Sequence, residues 1–178
     1  SYFSESNVSI ASVRAGNVLG GGDFSENRLI PDIIRSVINN NKLIIRSPQS
    51  TRPWQHVFDV IYGYMLLGKK LCENPKEFSS PYNFSPSSKN CVTVEEILFK
   101  INELLKIDYE IVPSEFYEAN LLMLNADKAK KHLSWKPVYD INQTLKESIN
   151  WYNDFINKKD IIQTSQDQYK KYMEFQNE

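Results

Sequence analysis

Val8-Ser9-Ile10-Ala11-Ser12-Val13-Arg14, running on into Ala15-Gly16-Asn17-Val18-Leu19-Gly20-Gly21-Gly22-Asp23, is the stretch whose reading decides the fold. Apolar residues at 8, 10 and 13, with small ones between them, predict a buried strand over residues 8–14. The glycines that follow permit backbone conformations and close approaches that side chains block. Residues 29–38 then read as a helix: Pro31 suits a first turn, and Ile30, Ile33, Ile34 and Val37 share one face. Asn39-Asn40-Asn41 ends it.

Outward from this unit the same alternation continues. Residues 43–46 read as a short strand, followed by the turn Ser47-Pro48-Gln49-Ser50 and by Thr51-Arg52-Pro53-Trp54-Gln55-His56-Val57. Asp59 is the expected N-cap of a helix reaching about Cys72. Tyr82-Asn83-Phe84, between Pro81 and Pro86, suggests a very short strand, and Thr93-Val94-Glu95-Glu96 has the form of a capping box. Residues 109–112 read as another strand, 125–133 as a short helix and 141–156 as a longer one. The polar stretch 157–178 reads as a further helix or a frayed end. Strands alternating with helices give an α/β architecture.

Composition bounds the function. The 178 residues are 41% hydrophobic, enough for a real core in one domain or a little more. Twenty-one basic against 22 acidic residues provide no global field for nucleic acid or an anionic membrane. No apolar run reaches the roughly 18 residues of a membrane span. Ser1-Tyr2-Phe3-Ser4-Glu5 is neither a signal peptide nor an initiating Met, so the chain is expected to be soluble and cytoplasmic. Cys72 and Cys91 offer neither a disulfide framework nor a zinc spacing, and no metal site is expected. There is no GxGxxG, Walker-type GK[ST], HExxH or GxSxG, and His56 and His132 lie far apart. Gly20-Gly21-Gly22 reads as a turn as readily as an anion nest. On these residues alone the reading stops at an α/β domain with two loops of interest.

The loops carry a resemblance. Residues 13–23, then Asn27-Arg28-Leu29-Ile30-Pro31-Asp32-Ile33-Ile34, resemble the C-terminal half of CDP-glucose 4,6-dehydratases. Ile45-Arg46-Ser47-Pro48, Thr51-Arg52-Pro53-Trp54-Gln55-His56-Val57, Tyr82-Asn83-Phe84-Ser85-Pro86 and the run from Lys128-Ala129 through Leu133-Ser134-Trp135-Lys136-Pro137 extend it in unbroken order over roughly residues 8 to 155. Arg52-Pro53-Trp54-Gln55-His56 favours the CDP-glucose branch over thymidine-linked relatives, which typically carry an Arg-Asp-Trp version.

The resemblance implies an extended short-chain dehydrogenase/reductase: an N-terminal Rossmann domain holding NAD and a smaller C-terminal domain holding the nucleotide sugar. It implies hydride transfer from sugar C4 to NAD, loss of water across C5 and C6, and hydride return to C6, giving a 4-keto-6-deoxy sugar for surface polysaccharides. The family's glycine fingerprint and catalytic Tyr-x-x-x-Lys have no counterpart here; Tyr169-Lys170-Lys171-Tyr172 does not reproduce the pair. The expectation is therefore a C-terminal nucleotide-sugar-binding part with one or more leftover Rossmann strands. Residues 1–158 carry that part, residues 159–178 form a polar tail or helix, and NAD is bound by an absent N-terminal domain. No catalytic residue is assigned, and the isolated chain is expected to be inactive and to bind NAD weakly at most.

Seven residues are assigned to the substrate through the resemblance. Asn17 matches an Asn near the sugar diphosphate, although it could instead support its own loop. Arg28 and Leu29 open a helix where relatives contact the nucleotide, and helix N-termini favour anions; the alternatives are a solvated charge and a core leucine. Arg52 matches the Arg that grips the diphosphate with its planar fork. Arg46 falls at the base-proximal segment, Asn83 beside the ribose or phosphate, and Glu118 where the family meets the nucleotide again. Trp54 is read as packing, His56 as a structural hydrogen bond, and the Lys128, Lys130, Lys131 cluster as a solvated helix face.

CDP-glucose or a related nucleotide sugar is the expected small-molecule partner. Strand 8–14 is expected to lack its usual neighbours and so to favour self-association or pairing with an N-terminal domain. Two other functions stay open: part of a related nucleotide-sugar epimerase, and a noncatalytic sugar-nucleotide-binding or assembly module.

Overall fold

Between Val13 and Leu19 the chain forms two short strands instead of one, and Gly16 separates them. In the computed structural model, which describes residues 8–112 and 122–177, β1 (Val13–Ala15) pairs in parallel with β5 (Tyr82–Phe84). Next along the chain, β2 (Asn17–Leu19) pairs in parallel with β4 (Thr51–His56). A Cβ at position 16 would lie 2.6 Å from the Pro53 carbonyl oxygen, while the Gly16 N–H donates to Phe84 O at 3.1 Å. The missing side chain lets the backbone change partners.

The expected buried strand over residues 8–14 is thus corrected. The ladder starts at Val13, residues 8–12 lie outside any strand, and Val8 and Ile10 are 58% and 45% exposed. Sequence alternation identified the apolar residues, but among the described residues β1 pairs with β5 alone, so this segment is not flanked by strands on both sides.

The central strand is β4, with β2 parallel on one side and β6 (Cys91–Thr93) antiparallel on the other, placing Arg52 opposite Val92. The crossover from β2 to β4 contains α1 (Leu29–Asn39) and β3 (Leu43–Ile45), the latter parallel to β7 (Tyr109–Ile111). Asn40, left-handed at φ 51°, ends α1 by donating its N–H to Ser36 and Val37 carbonyls. The expected capping box opens α4 (Val94–Leu104): Glu96 N–H donates to Thr93 Oγ1 at 3.1 Å, and Thr93 N–H to Glu96 Oε2 at 2.7 Å.

The start of α2 (Val57–Glu73) also departs from expectation. His56, not Asp59, is the N-cap: its Nδ1 accepts from the Phe58 N–H at 3.2 Å. Asp59 instead turns inward, its Oδ1 accepting from Val138 N–H at 2.9 Å and Tyr172 OH at 3.1 Å. A short α3 (Pro75–Phe78) follows, then α5 (Asp127–Leu133), α6 (Ile141–Ile156) and α7 (Ile161–Asn177). Packing explains why the polar C-terminal stretch is helical: Tyr172 is buried, and Lys171 Nζ meets the buried Glu147 at 2.5 Å.

Two apolar clusters hold the elements. Ile33 and Ile34 of α1, Ile97 and Ile101 of α4, and Leu145 and Ile149 of α6 converge with Trp54. Leu67, Phe84, Ala129 and Trp135 anchor the second, around α2, β5 and α5. Each fully buried aliphatic or Phe side chain contributes about 1.5–3 kcal/mol. Among the described residues, no helix is long and apolar enough to cross a membrane.

Candidate functional site

A cleft of about 480 Å³ lies alongside β2 and β4 beneath the N-terminus of α1. Its walls bring together Asn17, Arg28, Leu29 and Arg52, which are 35 positions apart at their extremes (52 − 17). Asn17 sits half-buried on β2 opposite Trp54, and Arg52 half-buried on β4, one guanidinium nitrogen donating to Thr51 O at 3.0 Å. Leu29 lines the cleft and also packs on the main core.

The helix N-terminus adds donors. Arg28 occupies the N-cap position with extended backbone and no side-chain cap, and Asp32 N–H already donates to Arg28 O at 2.9 Å. Pro31 has no N–H, so Leu29 and Ile30, which line the cleft, carry the first-turn amides. Two guanidinium groups, a neutral amide and a helix N-terminus form an environment suited to a polar, multiply charged anion.

Asp23 and Tyr152 complete the wall, and neither was singled out from sequence as a site residue. The Asp23 carboxylate accepts from Arg28 at 3.2 Å and from Ser25 N–H at 2.9 Å. Burial pushes its pKa up, but hydrogen bonds from Ser25 and Arg28 outweigh that and hold it below the usual value. Burial pushes the Tyr152 phenol up to about 12, so it stays neutral and remains a donor. A sequence signal existed in the adjacent Trp151-Tyr152 on α6, whose face is otherwise aliphatic where it meets the core.

The glycine run is a packed turn. Cβ atoms at 20 and 21 would lie 2.5 Å from Val57 and 2.0 Å from the Trp151 ring, and Gly22 has φ +82°. Arg46 and Asn83 are not in the cleft wall. Arg46 is exposed just after β3, and Asn83 donates to Asn125 O at 3.1 Å. Glu118 lies outside the described residues. Trp54 is buried with its indole N–H on Val92 O at 3.0 Å, as a packing residue should be. His56 is buried and capping α2, and burial lowers its pKa to about 4. Among the described residues no group of His, Cys, Asp and Glu could hold a metal ion.

Comparisons with known proteins agree with this architecture. Residues 1–80 match the model of the NAD dependent epimerase/dehydratase family. A CDP-glucose 4,6-dehydratase of Salmonella typhimurium is 38% identical, over 97% of this chain and 50% of that protein; the chain thus spans half of this relative's length. The dTDP-glucose 4,6-dehydratase from Bacillus anthracis, solved in complex with NAD, superposes with a TM-score of 0.69 at 24% identity, covering 86% of this chain and 47% of that one. MoeE5 in complex with UDP-glucose and NAD gives a TM-score of 0.71 at 18% identity, covering 83% and 48%. These two share the fold.

Proposed function

We propose that the chain is a member of the NAD dependent epimerase/dehydratase family and the substrate-binding portion of a CDP-glucose 4,6-dehydratase. The full reaction converts CDP-glucose to CDP-4-keto-6-deoxyglucose and water, in the cytoplasm, for surface-polysaccharide sugars. The single observation that carries this reading is the convergence of Asn17, Arg28 and Arg52 on one cleft beneath a helix N-terminus. Identity to the Salmonella enzyme supports the choice of base and of dehydration over epimerisation.

Within the reading, Arg52 and Arg28 meet the sugar diphosphate by charge-assisted hydrogen bonds, and Asn17 donates to phosphate oxygen or accepts from a sugar hydroxyl. Leu29 covers the base or ribose with its side chain. Arg46, Asn83 and Glu118 are assigned to the nucleotide end of the same ligand by the resemblance alone.

NAD does not fit the residues present. Gly20 and Gly21 are filled against Val57 and Trp151, leaving no glycine cradle for a pyrophosphate, and no Tyr has a Lys four residues on. NAD, when bound, supplies hydride chemistry from an N-terminal Rossmann domain; this chain's residues bind and orient the sugar nucleotide. The exposed Val8, Ile10 and Val13 beside β1, which among the described residues is paired on one side, support docking of such a domain, or self-association in its absence.

Isothermal calorimetry with CDP, UDP and dTDP tests the reading. Preferential CDP binding is expected; equal binding of all three supports instead a related epimerase-type site, and no binding contradicts the substrate role. The purified chain with NAD is expected to form no 4-keto sugar from CDP-glucose, a full-length family enzyme serving as positive control.

A further inference from the structure

Asp23 and Tyr152 are 129 positions apart, yet their groups meet twice. Tyr152 OH donates to Asp23 O at 2.7 Å and accepts from Asp23 N–H at 3.2 Å, so one phenol satisfies both polar groups of one residue's backbone. The Tyr152 ring is fully buried and meets Phe24 edge-on at 5.8 Å. Its neighbour Trp151 packs where a Gly21 side chain would sit. The Trp151 indole N–H donates to Ser165 Oγ of α7 at 2.9 Å, so the ring is itself held from behind. Through these contacts α6 grips the loop that leads into the first turn of α1.

That loop carries the cleft's more exposed cation. The Arg28 side chain is 66% exposed and, among the described residues, is tethered by the Asp23 carboxylate. Asn17 and Arg52 stand on paired strands and need no such support. The geometry of the cleft therefore depends on where Asp23 is held.

We propose that Tyr152 is a positioning residue for the nucleotide-sugar cleft: its hydroxyl locks the Asp23 backbone and thereby sets Arg28 and the head of α1 against Asn17 and Arg52. This rests on the reading of the cleft as a diphosphate site. Two neutral hydrogen bonds are lost in Tyr152→Phe, while the ring contacts remain.

The test measures CDP affinity by calorimetry and backbone amide exchange on wild type and Tyr152→Phe, with thermal melts alongside. Tyr152→Phe is expected to weaken CDP about fivefold to tenfold. Amides of residues 20–28 should exchange faster, while those of the distant β3 and β7 stay unchanged. Wild-type CDP binding with undiminished affinity in Tyr152→Phe overturns the positioning role and leaves the cleft reading intact. Absence of CDP binding by wild type overturns the cleft reading, and the positioning role with it. If Tyr152→Phe does not fold, wild-type exchange decides: an Asp23 amide protected like those of α6 is expected, and an unprotected one overturns the lock.

Discussion

His56 and Asp59 sit one turn apart at the start of α2, both buried, with pKa values displaced in opposite senses. Burial lowers His56 from 6.5 to about 4. Burial raises Asp59 from 3.8 to about 6, with hydrogen bonds from Val138, Tyr172 and Tyr139 opposing it. Between pH 4 and 6 the folded chain holds more protons at Asp59 than the unfolded chain, so this group's contribution to stability falls as pH rises. At His56 the unfolded chain holds more protons from pH 4 to 6.5, so that contribution rises over nearly the same window. At about 1.4 kcal/mol per tenfold change in proton affinity, each displacement corresponds to roughly 3 kcal/mol.

The two should largely cancel. Urea unfolding of wild type is expected to give nearly flat stability from pH 4.5 to 7 as far as this pair is concerned. Asp59→Asn keeps an oxygen for Val138 N–H and Tyr172 OH and removes the charge, so its stability should rise by about 3 kcal/mol over that range. His56→Asn keeps a capping acceptor and should show the opposite slope. If Asp59→Asn and wild type have parallel pH profiles, the opposed pair does not exist and the argument fails.

Two glycines of α2 should respond oppositely to alanine. A Cβ at Gly63 would lie 2.4 Å from the Phe84 ring and 2.9 Å from Trp135 Nε1, so Gly63→Ala should cost about 1–3 kcal/mol in chemical denaturation. Gly68 meets nothing within 4 Å, so Gly68→Ala should stabilise by about 0.5–1 kcal/mol. Thr93→Ala removes the acceptor for Glu96 N–H and should cost about 1 kcal/mol, read as a lower melting temperature; an unchanged melt would refute a working cap.

Much of the fold was legible in sequence because its signals are local. The residue pattern placed α1 within one residue, the Thr93–Glu96 box at the head of α4, and α6 over Ile141–Ile156. The failures came from long-range contacts. Alternation in residues 8–14 could not reveal that the ladder changes partners at Gly16, since that depends on Pro53 and Phe84. Asp59 looks like a cap by type, but Val138 and Tyr172, 79 and 113 positions away, draw it inward. The cleft shows the same division: of the residues singled out by motif, Asn17, Arg28, Leu29 and Arg52 line it and Arg46 and Asn83 do not, whereas Tyr152 joins the wall only because α6 folds back over the glycine loop.

The central claim, that this cleft holds the diphosphate of a cytidine sugar, bears most directly on Arg52. The decisive measurement is CDP-glucose affinity by calorimetry on wild type, Arg52→Lys and Arg52→Ala, with melts to show that each is folded. Losing a charge-assisted contact should cost Arg52→Ala about 1.5–3 kcal/mol, roughly ten- to hundredfold in affinity. Arg52→Lys, which keeps the charge but loses the planar fork, should fall between the two. A folded Arg52→Ala chain that binds CDP-glucose as tightly as wild type would contradict the account.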